Sequence, residues 1–342
     1  MFNFSKKILF LIAIVSFSSV FGVSTKKTPK KKYYDQGYKI ERHTLMQAYN
    51  TPARVNVNGC RDLFVEGSFI YWRPQEKGLT IGATSSSGLV TVPVEILNLD
   101  TRHKSGFKVG VGGHSNFDDW SVLAQYTRFN RDSKDSYEKS LTFTPDWLTQ
   151  EGNIVEALWN LDFNLFDLEI SRPNFTGKHL ILSPLAGISG GWINQRYEVS
   201  NVSSIAKSFS DSWLIGPKAG IKSFWQLRGD FKFLGEIEAA IFYQDFYKIS
   251  YEERSALNNA FFERATMVKH YLIPNLNLGA GLSFGSYFYK DKWHIDILTK
   301  FEFSYFWNQN QMRYLLNQLK FTRFNAGSLM LQGITASLRL DF

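Results

Sequence analysis

From Trp293 to Trp307 the chain reads WHIDILTKFEFSYFW, and its side chains sort by parity. Trp293, Ile295, Ile297, Thr299, Phe301, Phe303, Tyr305 and Trp307 form one row. His294, Asp296, Lys300, Glu302 and Ser304 stand in the other. Successive side chains of a strand point to opposite faces, so this spacing makes a ribbon with one apolar and one charged face. The same period runs through 213–226, where Lys218 and Lys222 are on the polar row. It recurs in 231–244, with Glu236 and Glu238, and in 268–285, which carries Lys269. Such runs are longer than the five or six residues usual in a soluble sandwich. Tyr and Trp gather at the ends of the apolar rows, and the polar rows are rich in Gly and charge. An outer-membrane barrel needs these features: lipid outside, aromatic girdles at both interfaces, and a polar lumen.

Connection lengths point the same way. Strands are expected near 62–73, 105–115, 120–131, 153–171, 179–199, 211–226, 231–250, 267–287, 293–307 and 328–342. The links between them alternate long and short: 74–104, 116–119, 132–152, 172–178, 200–210, 227–230, 251–266, the YFYKDK region and 308–327. Tight periplasmic turns and long external loops predict that order, with both termini on the periplasmic side. The expected fold is an all-β, transmembrane, up-and-down antiparallel barrel of about 10 strands, or 12 if 89–99 adds a hairpin. In 153–171 the polar parity changes after Asn164, and a bulge near Leu165–Phe166 would account for it. Closure requires the last strand to pair with the first. Phe342 is then expected at the periplasmic interface as an assembly signal.

MFNFSKK, an apolar run ILFLIAIVSFSSVF and small residues at Val20, Gly22 and Ser24 have the order of a secretory signal peptide. The expected organisation is signal peptide 1–22, basic periplasmic segment 23–61 and barrel 62–342. The formal charge of +8 is local. Lys6, Lys7, Lys26, Lys27, Lys30, Lys31 and Lys32 precede the barrel, and without them residues 33–342 carry +1. A basic tail before a near-neutral body gives no nucleic-acid signal; it reads as a solvated linker or an attraction to anionic lipid. Cys60 is the single cysteine. It excludes an internal disulfide framework and leaves two readings: a small residue at the entry to the first strand, or an intermolecular disulfide.

FVEGSFIYWRP (64–74), GFKVGVGG (106–113), LDFNLFDLEISR (161–172), GISGGWINQRY (187–197) and IGPKAGIKSFW (215–225) resemble the major outer membrane porin-like proteins of Legionella and chlamydia-related bacteria. The amphipathic last strand ending in Phe342 is similar to the assembly signal of bacterial outer-membrane proteins. The resemblance spans about 62–342. It implies a pore-forming protein of the Gram-negative cell outer membrane and assigns no functional residue.

Lys218, Lys222, Glu236, Glu238, Lys269, Asp296, Lys300 and Glu302 are the lumen-lining candidates. Glu66, Glu156, Asp162, Glu169, Lys108, Lys232 and Arg339 fall on the same expected face. Opposite charges on neighbouring strands either staple the wall or sort solutes and ions by charge. The leading reading is a porin for passive diffusion of small hydrophilic solutes or ions. The alternative is a structural or adhesive surface barrel with a closed lumen. In 308–327 a stripe of Met312, Leu315, Leu316 and Leu319 would suit a short helix that enters the mouth or faces a partner. An enzyme is the weakest reading. His114, His179 and His294 fall at periplasmic ends, His270 on the lipid face, and His43 and His103 outside the strands, so no Ser/His/Asp set is expected to converge. No metal spacing or cofactor motif is read. The expected partners are outer-membrane lipid, the barrel-assembly machinery and, in a homo-oligomer, a second copy.

Overall fold

The computed structural model describes residues 51–58, 62–84, 96–115, 119–228, 230–321 and 326–342, without the side chains of 139–144, 152 and 153. The expected signal peptide, the lysine run and Cys60 lie outside the described residues. Strand β1 (Leu63–Glu76) is followed by the short β2 (Thr80–Thr84) and β3 (Ile96–Asn98), then by β4 (Lys104–His114), β5 (Ser121–Pro145) and β6 (Gly152–Ser171). After the two-residue β7 (Asn174–Phe175) come β8 (Leu180–Asn201), β9 (Ser204–Gln226), β10 (Phe231–Ser255), β11 (Phe261–Phe288) and β12 (Trp293–Asn310). Helix α1 (Gln311–Leu319) and β13 (Gly327–Asp341) complete the described elements.

The sheet closes on itself in the order β1-β4-β5-β6-β8-β9-β10-β11-β12-β13, an antiparallel ring of ten strands. The seam pairs β1 with β13 from Phe64↔Asp341 to Glu76↔Leu329. Backbone bonds between Leu63 and Phe342, 3.1 and 2.9 Å, fasten its periplasmic end. Strand β13 has a partner strand on each side, β1 and β12, so its backbone is satisfied within the wall. The β2–β3 hairpin adds to the outer part of β5 and is not a ring member, so the ring stays at ten.

An apolar belt encircles the ring. Its outward row includes Phe69, Val109, Ile188, Ile221, Ile237, Leu278, Ile297, Phe301 and Leu338, all exposed on the barrel's outside. Above it runs an aromatic girdle. Tyr126 stacks on Phe166 at 4.5 Å, Phe166 meets Trp192 at 6.1 Å, Trp192 pairs with Trp213, and Trp213 meets Tyr243 at 5.7 Å. Below it, Phe231 meets Phe284 at 4.9 Å and Trp293 meets Phe342 at 5.4 Å. On β9 the upper Trp213 and lower Trp225 are twelve positions apart. That is about 40 Å of strand, or about 30 Å of height at a tilt of roughly 40°. The belt fits a bilayer's hydrocarbon core.

Strands β5, β6, β8, β9, β10 and β11 run well past the upper girdle. Three expected loops, 132–152, 200–210 and 251–266, are therefore mostly strand, turning at their tips. This extension also corrects the expected bulge in β6. Pairing of β6 with β8 is continuous from Ser171↔Leu185 to Val155↔Asn201. The parity of the side chains never changes; their surroundings do. Below the girdle the outward residues Phe166, Leu168 and Ile170 meet lipid, and the inward Asp167 and Glu169 meet the lumen. Above it the outward Asn164, Asp162, Asn160 and Glu156 meet water, and the inward Phe163, Leu161, Trp159 and Val155 are buried. Glu156 and Asp162 are thus outside, not in the lumen, and exposed Glu156 pairs with Lys134 at 3.0 Å. Among the described residues the ring's register does shift in β10, between Phe246 and Ile249 and again after Glu253, and also between β5 and β6 after Glu138 and between β12 and β13 after Phe306.

Phe301 is 53% exposed on the outward row. Phe301→Arg is expected to cost roughly 2–4 kcal/mol, the usual penalty for a cation facing mid-bilayer lipid. Asn277→Arg, on the inward row beside Ser304, should cost less than half as much. Urea midpoints of the refolded barrels compare them, and equal losses would contradict the facing of these rows.

Candidate functional site: a layered lumen

The interior has three storeys, each built from inward rows of the strands. The lowest holds charge. Lys108 Nζ binds Glu302 at 2.9 Å, and Lys300 bridges Glu302 and Glu236 at 2.7 Å each. Lys222 reaches Glu169 at 3.1 Å and Glu238 at 3.5 Å. Lys218 is held by Asp167 at 3.1 Å, by Glu238 at 3.5 Å and, most closely, by Glu169. Five carboxylates and four ammoniums therefore alternate around much of the wall. Glu169 and Lys218 are two strands apart, and β8 between them presents Gly187 in register with both. A Cβ there would lie 2.2 Å from the Leu168 carbonyl oxygen, so glycine lets the strands and the ion pair close up.

Of the eight lumen candidates, seven line this chamber: Lys218, Lys222, Glu236, Glu238, Asp296, Lys300 and Glu302. Lys269 points inward too, but higher, with its Nζ 3.2 Å from the centroid of the Tyr314 ring in α1. Asp167 joins the network although the parity reading did not single it out; its signal is its place two residues before Glu169.

At the periplasmic end a second cluster forms. Asp341 accepts from Arg339 at 2.6 Å and pairs with His294 Nδ1 at 3.2 Å. Contrary to expectation, a serine, a histidine and an aspartate do meet here: His114 Nδ1 is 2.7 Å from Ser121 Oγ, and its Nε2 is 3.7 Å from Asp341. Arg339 Nη2 also lies 3.1 Å from that Nε2. Segment 51–58 crosses below this cluster. Ala53 N donates to Pro173 O and Asn58 N to Asp291 O, while Arg54 pairs with Asp119 at 2.8 Å. Ala53, Arg54 and Val55 line the floor of the chamber, whose free volume is about 280 Å³.

The middle storey is an aromatic septum. Phe163 on β6 meets Phe306 on β12 edge-on at 5.7 Å, and Phe306 stacks with Phe242 at 6.1 Å. β6 and β12 are five places apart in a ring of ten, so this contact spans opposite walls. Trp72 and Phe129 meet at 5.8 Å, and Ile70, Leu331 and Leu214 fill in around the rings, all buried.

The top storey is a second core inside the projecting strands. The expected stripe does form a helix, α1, with Asn310 capping the Arg313 amide at 2.9 Å. Met312 and Leu316 are fully buried in the mouth against β9 to β13. Neighbouring segments are tied in: Tyr197 donates to Leu79 O at 3.2 Å, Trp147 to Thr80 O at 3.0 Å and Tyr251 to Trp147 O at 2.7 Å. Glu76 Oε1 accepts from Gln195 across the lumen at 3.1 Å.

The family model for the Legionella pneumophila major outer membrane protein precursor matches residues 60–342. Among solved structures, the chain is similar to the outer membrane protease OmpT of Escherichia coli: 11% identity, 85% of this chain and 99% of that one covered, TM-score 0.43. It is also similar to the translocator domain of the autotransporter NalP of Neisseria meningitidis, at 11% identity, 90% and 95% coverage and TM-score 0.34. The attachment invasion locus protein Ail of Yersinia pestis follows at 9% identity, 82% and 98% coverage and TM-score 0.24. No curated protein matches the sequence.

Proposed function

This chain belongs to the Legionella major outer membrane protein family, in the outer membrane, and we propose that it works there as a closed-lumen barrel whose active surface is the part projecting above the membrane. The observation that carries this reading is the contact of Phe163 and Phe306 across opposite walls. A diffusion pore needs a continuous wet path, and an apolar constriction without room for water is a barrier to ions. A ten-stranded ring is narrow to begin with, since eight strands leave an interior just filled by side chains. The helix α1 and the hydrogen-bonded segments around Trp147 add a second closure above the septum. The projecting hairpins give the protein a large water-facing surface, which suits a structural or adhesive role.

The rival reading is the porin that the family resemblance implies, and the charged lower chamber favours it. Planar-bilayer recording separates the two. Refolded protein should give no current steps, and Phe163→Ala/Phe306→Ala, which removes both rings of the septum, should add leak without steps of fixed size. Regular unitary steps from the unaltered protein would overturn the closed-lumen reading in favour of the porin.

A further inference from the structure

The outer wall just above the upper girdle is not uniform in charge. On β5 and β6 it carries Arg128, Asp132 and Asp162 among asparagines. On β8 to β10 two cations converge on one ring: the Arg196 guanidinium carbon lies 4.8 Å and the Lys248 ammonium 5.1 Å from the centroid of Phe209. Arg196 and Lys248 are exposed, and among the described residues neither makes an ion pair with a carboxylate. Asp211, the register partner of Lys248, is the acid of the patch. Beside them a hollow is lined by Phe209, Tyr247, Lys248, Arg264 and Thr266. Its one acid, Glu252, is already shared by Arg254 at 3.0 Å and Arg264 at 3.1 Å. The hollow exists because the β10 bulge falls here, between Phe246 and Ile249.

Height decides what such a patch meets. Arg196 is four positions outward of Trp192, and Lys248 pairs with a residue two positions outward of Trp213. At about 3.3 Å per residue and a tilt of roughly 40°, they stand about 5–10 Å above the girdle. That is the headgroup layer, roughly 5–8 Å thick on each side of the hydrocarbon. A cation held on an aromatic face at that depth meets lipid phosphate and has little bulk water in which to be solvated. We propose that Arg196 and Lys248, set around Phe209, bind a phosphate group of an anionic lipid in the outer leaflet. The guanidinium takes two phosphate oxygens at once, the ammonium adds a point charge, and Tyr247 packs along the lipid's glycerol or sugar.

The probe is diphosphoryl lipid A, titrated into the full chain refolded in neutral detergent and counted by native mass spectrometry. Bound lipid is expected, with the affinity falling on the order of thirtyfold in Arg196→Gln/Lys248→Gln, from about fivefold per cation. Lys134→Gln, on β5 and three strands from the Phe209 strand in the ring, should leave it unchanged. Heat-modifiable mobility verifies folding, and if the double variant fails it, the single substitutions should each show about the fivefold loss. Equal binding of dephosphorylated lipid A, or a double variant that binds as well as the parent, overturns the proposal. Inorganic phosphate binding as tightly as the lipid overturns it as well, since the site would then be for a free anion.

Discussion

Lys218→Glu is expected to prevent the barrel from reaching its heat-resistant form. Lys218 sits among Asp167, Glu169 and Glu238 and is itself buried. Removing one partner of a buried ion pair costs roughly 3–5 kcal/mol, because the other charge is left unpaired. Here three carboxylates lose their shared cation and gain a fourth of the same sign. Lys218→Met removes the cation without adding repulsion, so it should show the lower figure. Glu169→Lys in the Lys218→Glu background restores an opposed pair and should recover part of the loss, a coupling that a double-mutant cycle isolates. Urea midpoints and heat-modifiable mobility read all three. A Lys218→Glu barrel as stable as the parent would mean the network is bathed in water and screened, as in an open channel, and would also weaken the closed-lumen reading.

The ring was legible because its signal is local. Parity of side chains and alternation of connection length depend only on which residues face lipid, and ten expected strands correspond to ten ring members. What parity cannot carry is height. The same rows run from lipid into water, and nothing in an alternating pattern marks the crossing except an inversion of both faces together. In β6 that inversion resembles a bulge, so Glu156 and Asp162 were expected inside and stand outside. Trp192 and Trp213 are the local clue, because the aromatic girdle sits where the inversion occurs. The septum was illegible for another reason. Phe163 and Phe306 belong to strands far apart in sequence, and their contact exists only once the ring has closed. The meeting of Ser121, His114 and Asp341 is of the same kind, since closure brings β13 near the first hairpin.

Glu76 should make the projecting half of the molecule lose stability as pH rises from the acid range toward 8. It lies on the inward row, opposite Gln195, which is three positions outward of Trp192 and so beyond the lipid belt. Its Oε1 accepts one bond from Gln195, while its Oε2 is buried without a partner. Burial pushes its pKa up to about 8, and the Gln195 bond only partly offsets that. In the unfolded chain it titrates near 4.5. Between these values the folded state holds a proton that the unfolded state has lost, so stability falls as pH rises from about 4.5 to about 8 and levels off above. At about 1.4 kcal/mol per tenfold change in proton affinity, the full loss over that window is of order 5 kcal/mol. Glu76→Gln keeps the shape and the hydrogen-bonding groups of the protonated acid and cannot ionise. It should match the parent at pH 5 and exceed it by most of that amount at pH 9, with the urea midpoint as the measure. Parallel pH profiles for the two proteins would show that Glu76 is ionised and solvated at neutral pH, and that water reaches the upper core.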